Sequence, residues 1–195
     1  MSTDWKPERP RAKRVTRRTA RSLRDALTAE ERAAASAAIA TTANRLLGEV
    51  TGVIALYAPK GSEVDTTAID EALRARGVTV AYPRVVGDER LLAFHRATPG
   101  ELAASRFGLR EPVDDEATRV PLDQIAAFIV PVLAFDRDGG RIGWGRGHYD
   151  TTLAAAPSAM RVGLAFACQL VEHIAHEPHD IRLHHVITEG ASYPS

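Results

Sequence analysis

The sequence predicts an α/β fold in which helices sandwich a mainly parallel central sheet. Three observations lead there. Short apolar runs at Val53–Tyr57, Val78–Tyr82, Ile125–Val130 and Arg161–Phe166 have the length and composition of buried strands. Stretches with helical start and stop signals lie between most of them. The chain of 195 residues, 45% hydrophobic, is long enough for one full core, and no internal repeat or second boundary divides it.

Residues 1–11 read as a disordered basic tail, with Pro7 and Pro10 arguing against early helix, and 12–195 as a single domain. From Ala12 to Ala26 the pattern is helical, basic and free of Gly and Pro. Thr28 and Glu31 have the spacing of a capping box, so an Ala-rich helix follows to about Leu47, where Gly48 and Gly52 end it. After the strand Val53–Tyr57 comes a loop from Pro59 to Ser62. Asp65 or Thr66 then caps a helix that runs to about Arg76 and stops at Gly77. Val78–Tyr82 is the second strand. Leu91–His95 is a third, shorter one nearer an edge, and Pro112–Pro121 is an acidic loop. Ile125–Val130 is a buried strand, and Asp138-Gly139-Gly140 a turn. A Gly-rich loop over Gly143–Gly147 feeds a helix from about His148 to Ala155. The strand Arg161–Phe166, a short helix Gln169–Ala175 and a last strand His185–Thr188 complete the order. Loops 57–65 and 136–150 both follow strands. They are expected at the same sheet edge, outside the carboxyl ends, where ligands of such sheets bind.

Composition narrows the function. Lys plus Arg equals Asp plus Glu at 25 each, so the net charge is zero and no overall field points to nucleic acid. The charge is uneven: residues 1–24 hold nine basic residues against Asp4 and Glu8. Such a stretch suits an anionic partner or a solvated arm. The single Cys168 excludes an intrachain disulfide and a multi-Cys zinc site, and fits a reducing cytoplasm. No apolar run approaches the ~20 residues of a membrane helix. No coiled-coil heptad is present, so a monomer is the default expectation.

The densest motif is Gly143-Trp144-Gly145-Arg146-Gly147-His148-Tyr149-Asp150. Glycines at alternate positions let successive N–H groups turn toward one point, and the following helix adds its positive end. Arg141 and Arg146 supply forked donors for phosphate oxygens, and Asp150 is a hard ligand for a cation such as Mg²⁺. A flexible loop with a basic tip is the other reading. Lys13 and Arg17, four apart, share a helix face from which a triphosphate is within reach; a solvated basic face is the alternative. Glu63 follows the first strand, where it can accept hydrogen bonds from ligand N–H groups or simply favour a helix start. His173, His176, His179, His184 and His185 lack metal-site spacing. Asp180 among them is a carboxylate able to approach the phosphate site, or a turn residue.

Taken in order, these pieces resemble the 5-formyltetrahydrofolate cyclo-ligase family. The matching segments are Lys13-x-x-x-Arg17; Glu63-Val64-Asp65-Thr66; Tyr82-Pro83-Arg84; Phe107-Gly108-Leu109-x-Glu111-Pro112; Ile129-Val130-Pro131 with Phe135-Asp136-x-x-Gly139-x-Arg141-Ile142-Gly143-x-Gly145-x-Gly147-x-Tyr149-Asp150; and Gln169 with His179-Asp180. The resemblance implies a Rossmann-like three-layer sandwich related to ribose-phosphate isomerases and CoA transferases. It implies ATP- and Mg²⁺-dependent cyclisation of 5-formyltetrahydrofolate to 5,10-methenyltetrahydrofolate. It also implies roles. Lys13, Arg17, Arg141 and the loop Gly143, Trp144, Gly145, Arg146, Gly147, His148, Tyr149, Asp150 would hold ATP. Glu63 would anchor the pterin beside Tyr57, Arg146 and Tyr149. Arg146, His148 and Tyr149 would act at the reacting centre, and Asp150 and Asp180 would bind Mg²⁺. Trp144 stands where that family usually has Tyr, Phe or Arg, and His148 where it usually has Tyr or Phe. They leave open a same-fold ATP-dependent enzyme with another acceptor, or a non-catalytic folate or nucleotide binder.

Overall fold

A computed structural model describes residues 8–193. Helix α1 spans Glu8–Asp25, so residues 8–11, read as tail, are helical; residues 1–7 lie outside the described residues. Pro10 is accommodated because it stands in the first turn, where a missing N–H leaves no helical bond unmade. Helix α2 (Ala29–Leu46) starts at the expected capping box. Thr28 Oγ1 accepts the Glu31 N–H at 3.1 Å, and Glu31 Oε2 accepts the Thr28 N–H at 2.8 Å. Helix α3 (Thr67–Ala75) is capped by Asp65, whose carboxylate accepts the Thr67 N–H at 2.9 Å. The Thr66 hydroxyl instead donates to the Tyr57 carbonyl at 3.0 Å, which ties the helix start to the end of the first strand. Helix α4 is His148–Ala155.

The central sheet has eight strands: β1 Val53–Ala55, β2 Val80–Val85, β3 Leu92–Arg96, β4 Arg119–Val120, β5 Ile125–Pro131, β6 Met160–Leu164, β7 His185–Ile187 and β8 Ser192–Tyr193. Their order is β8-β7-β6-β5-β1-β2-β3-β4. The run from β7 to β2 is parallel throughout, and β3, β4 and β8 add antiparallel edges. This is the expected fold class. Two expectations fail locally. The loop Pro112–Pro121 contains edge strand β4, which is two residues long and pairs Val120 with Phe94. No α-helix forms over Gln169–Ala175; a 3₁₀ turn at Ala167–Gln169 gives way to irregular chain. The Val171 N–H goes to the Phe135 carbonyl at 2.8 Å and the Ile174 N–H to Asp136 Oδ2 at 3.0 Å. Donors committed across the fold are not left for a helix.

Side chains of the parallel strands alternate between two cores. Ile54, Leu56, Ala127 and Ile129 face α2 and α3, whose Ile39, Ala43, Ile69 and Leu73 close that side. Ala55, Phe128 and Val130 face the other side, with Leu153 of α4. There Phe94 and Phe128 meet edge to face at 5.3 Å. Burial on both faces explains why these strands read as unbroken apolar runs. Cutting Phe128 to Ala would cost about 3–5 kcal/mol.

The chain passes from β1 to β2 on one side and later returns to β5 on the other. The strand order therefore reverses at β1, and the loops leaving β1 and β5 diverge to opposite faces. A crevice opens there, at the carboxyl ends.

Candidate active site

The crevice is a cavity of about 460 Å³. Every residue the sequence nominated lines it: Lys13, Arg17, Tyr57, Glu63, Arg141, Gly143, Trp144, Gly145, Arg146, Gly147, His148, Tyr149, Asp150 and Asp180. The rest of the lining is an apolar floor of Pro83, Val85, Leu92 and Leu109 with the charged Lys60, Arg110 and Glu111, none of which has a role from sequence. Two of the matching segments, Tyr82–Arg84 and Phe107–Pro112, supply part of it.

The glycine loop is built by a hairpin. After β5, Ala134–Phe135 pairs with Arg141–Ile142, and the expected Asp138-Gly139-Gly140 turn closes it. Buried Asp136 organises that turn: its Oδ1 accepts the N–H groups of Asp138 at 3.1 Å and Gly140 at 2.7 Å. Gly145 and Gly147 then take φ values of +87° and +75°. At Gly145 a Cβ would also stand 3.1 Å from the Arg17 guanidinium carbon, so this glycine serves both the turn and the approach of α1. Gly147 is the N-cap of α4, and His148, Tyr149 and Asp150 of its first turn line the cavity, which brings the helix's positive end to it.

Helix α1 docks against this loop. Arg17 Nε donates to the Gly143 carbonyl at 2.8 Å. Lys13 Nζ donates to Asp180 Oδ2 at 2.8 Å and lies 3.3 Å from Glu177 Oε1. Burial works to raise the Asp180 carboxyl, but the Lys13 ammonium and the Glu177 N–H outweigh it and hold it below the ordinary range. Arg141 is buried and donates to Asp150 Oδ1 at 2.7 Å and to the Ile181 carbonyl; the Ile181 N–H returns to Asp150 at 3.1 Å. Burial lowers the Arg141 pKa, and the Asp150 charge opposes that shift. Asp150 and Asp180 are thus hard oxygen donors on one wall, each held by a cation of the same wall. Glu177, His179 and Asp180 bring a ligand atom each within 4.8 Å of one another; Asp150 is not in that group.

At the other end, Glu63 is surrounded by donors. Its Oε2 accepts the Lys60 N–H at 2.9 Å and its Oε1 accepts the Trp144 indole N–H at 3.2 Å. Burial raises its pKa, against the pull of the Lys60 N–H and of Arg24. Burial likewise raises the Tyr57 and Tyr149 hydroxyls, so both remain protonated donors near neutral pH. The Tyr57 hydroxyl is committed to the Val64 carbonyl at 3.1 Å, leaving its ring as the surface it offers. His148 Nδ1 sits 3.1 Å from the Arg90 carbonyl, so its other ring nitrogen is the one available to a ligand.

The cavity therefore gathers cations from α1, Arg141 and the glycine loop, an acceptor at Glu63 that the same loop reaches through Trp144, and the apolar floor of Pro83, Val85, Leu92 and Leu109. Such a site suits a long ligand with phosphates at one end and a flat, donor-bearing ring at the other.

Residues 9–189 match the 5-formyltetrahydrofolate cyclo-ligase family. A 5-formyltetrahydrofolate cyclo-ligase of Mycolicibacterium smegmatis is 33% identical over 177 residues, covering 85% of this chain and 91% of its own. The one of Escherichia coli K12 is 34% identical over 141 residues, covering 69% and 76%. Among solved structures, the 5,10-methenyltetrahydrofolate synthetase of Aquifex aeolicus superposes with a TM-score of 0.77 at 29% identity, over 93% of this chain and 91% of that one. The synthetase of Mycoplasma pneumoniae gives 0.75 at 24% identity, over 91% and 98%.

Proposed function

Because the chain belongs to the 5-formyltetrahydrofolate cyclo-ligase family, we propose that it converts 5-formyltetrahydrofolate and ATP into 5,10-methenyltetrahydrofolate, ADP and phosphate. The observation that carries this reading is one cavity lined both by phosphate-seeking cations and by a carboxylate whose burial raises its pKa.

A formamide carbon is a poor electrophile and its oxygen a poor leaving group. Transfer of the γ-phosphoryl group to that oxygen corrects both. The N10 lone pair then attacks the formyl carbon, N10 gives up its proton, and the C–O bond breaks with departure of phosphate. Most of the catalysis lies in positioning and charge. Lys13, Arg17, Arg141 and the N–H groups of the Gly143–Gly147 loop bind and orient the triphosphate. Arg146 spreads its charge over the transferring phosphoryl oxygens. Glu63 accepts hydrogen bonds from the pterin N–H groups, and the Tyr57 and Tyr149 rings pack beside it. Tyr149 and His148 donate to the formyl end, and the apolar floor excludes water that would hydrolyse the activated intermediate.

Asp150 and Asp180 are of the donor type that suits Mg²⁺. The cavity wall carries Lys13, Arg17, Lys60, Arg110, Arg141 and Arg146 against Glu63, Glu111, Asp150 and Asp180. That excess of two positive charges falls short of a triphosphate's charge of about four, and a bound Mg²⁺ would supply the difference. We take the protein to act as a monomer, in line with the lack of coiled-coil heptads in its sequence. Among the described residues no helix is long and apolar enough to cross a membrane, and with the single free Cys168 we place the activity in the cytoplasm.

The test mixes the protein with 5-formyltetrahydrofolate, ATP and Mg²⁺ and follows the near-ultraviolet absorbance of the methenyl product. Product formation strictly dependent on ATP is expected. Folate binding without turnover, or ATP cleavage only with a different acceptor, would overturn the assignment.

A further inference from the structure

The stripe of α1 that begins with Lys13 and Arg17 continues through Ala20 to Arg24, at offsets of four, seven and eleven residues along one helix face. Ala20 and Arg24 are each only 3% exposed. Arg24 is thus a guanidinium buried as deeply as a core alanine, although it lies in a run of basic residues. Its Nε donates to Ser62 Oγ at 3.0 Å. Its Nη1 is buried, finds no hydrogen-bond partner among the described residues, and points at Glu63 Oε1 from 4.0 Å. The indole of Trp144, which donates to that same Glu63 oxygen, lies over the guanidinium at 6.0 Å. Burying a charge with an unused donor is costly, and it is compensated here by two carboxylates at 4.0 Å, half-exposed Asp25 on the Nε side and buried Glu63 on the Nη1 side.

We propose that Arg24 is a positioning residue for folate recognition, holding Glu63 ionised and aimed into the cavity. This rests on the reading of Glu63 as the pterin acceptor. One helix then serves both substrates, its early turns gripping the nucleotide and its last turn setting the folate end.

The charged and titratable groups facing Glu63 are Arg24 from α1, Lys60 from its own loop, Tyr57 from the end of β1 and Tyr149 from α4. Burial already raises the Glu63 pKa, and Arg24 pulls it down. The sign follows. Folate affinity falls as pH drops through the Glu63 pKa, because a protonated carboxyl accepts fewer N–H bonds. Without the Arg24 charge that loss begins at a higher pH.

The experiment measures KM for 5-formyltetrahydrofolate and for ATP across pH in the parent, Arg24→Gln and Arg24→Lys. For Arg24→Gln we expect a folate KM about tenfold higher at neutral pH, an ATP KM within about twofold, and an acid limb moved up by about one pH unit. Arg24→Lys should return the limb to its parental position, which a merely structural role would not require. A parental limb in Arg24→Gln, or equal rises in both KM values, overturns the proposal. If the Gln chain does not fold, Ser62→Ala decides. It frees the guanidinium without removing its charge, so folate KM should rise about threefold with the limb unmoved, and an unchanged KM refutes positioning. A parent that forms no methenyl product refutes the functional assignment itself, whereas a parent that turns over while these variants match it refutes only the role of Arg24.

Discussion

The two ends of the cavity solve opposite electrostatic problems. At the cationic end two of the cations are paired: Lys13 sits on Asp180 and Arg141 on Asp150. At the other end a carboxylate is buried among N–H donors, and a guanidinium behind it keeps one donor unused. On the proposed function the first end would exchange partners, its cations turning to phosphate and its two carboxylates being the residues that would hold a metal. The second would keep its carboxylate and change the N–H groups around it. Ion pairs of this kind lower the cost of burying the charges they join.

Perturbing each end separately sharpens the contrast. The largest effect is expected on chelating divalent cations. If Asp150 and Asp180 release their cations to a metal, turnover should fall by at least about 100-fold with EDTA and return with Mg²⁺; persistent turnover would break the comparison at its cationic end. Next are the paired variants Arg146→Ala and Glu63→Ala. The first should raise the ATP KM by about 10-fold or more and leave folate binding nearly intact; the second should do the reverse. Steady-state kinetics in both substrates checks this, and variants that turn over like the parent would show that the ends are wrongly assigned. Gly145→Ala tests the scaffold of the cationic end. A left-handed backbone and a Cβ 3.1 Å from Arg17 should cost about 1–2 kcal/mol in a denaturant titration and weaken ATP more than folate. The smallest effect is expected for Trp144→Phe, which removes the indole N–H from Glu63. Folate KM should change by no more than about threefold, with a loss of fluorescence response to folate that identifies Trp144 as the group displaced.

What could be read from the sequence depended on how local its cause was. Lys13 and Arg17 share a face by helical spacing alone, and the glycine loop carries its geometry in its composition, so both were visible before any fold was known. The capping box at Thr28 and the turn at Asp138–Gly140 belong to the same class. Arg24 was not visible. It is one basic residue among nine in its stretch, and only the return of the Ser62–Glu63 loop buries it. The apolar floor at Val85 and Leu92 was hidden because apolar residues on strands read as core whether they face a neighbour or a ligand. Strand β4 is too short for any periodicity to register. The helix expected after Gln169 was lost to partners more than thirty residues away, Phe135 and Asp136, which no local pattern encodes.

The stripe on α1 makes that helix a rigid ruler. Arg17 and Arg24 lie seven residues apart, about 10 Å of rise, and each meets a different loop. One residue inserted between them would swing the later contacts about 100° around the axis, so that whichever loop kept its grip, the other would lose it. The spacing of two arginines thereby sets how the glycine loop and the Ser62–Glu63 loop can both dock on one helix.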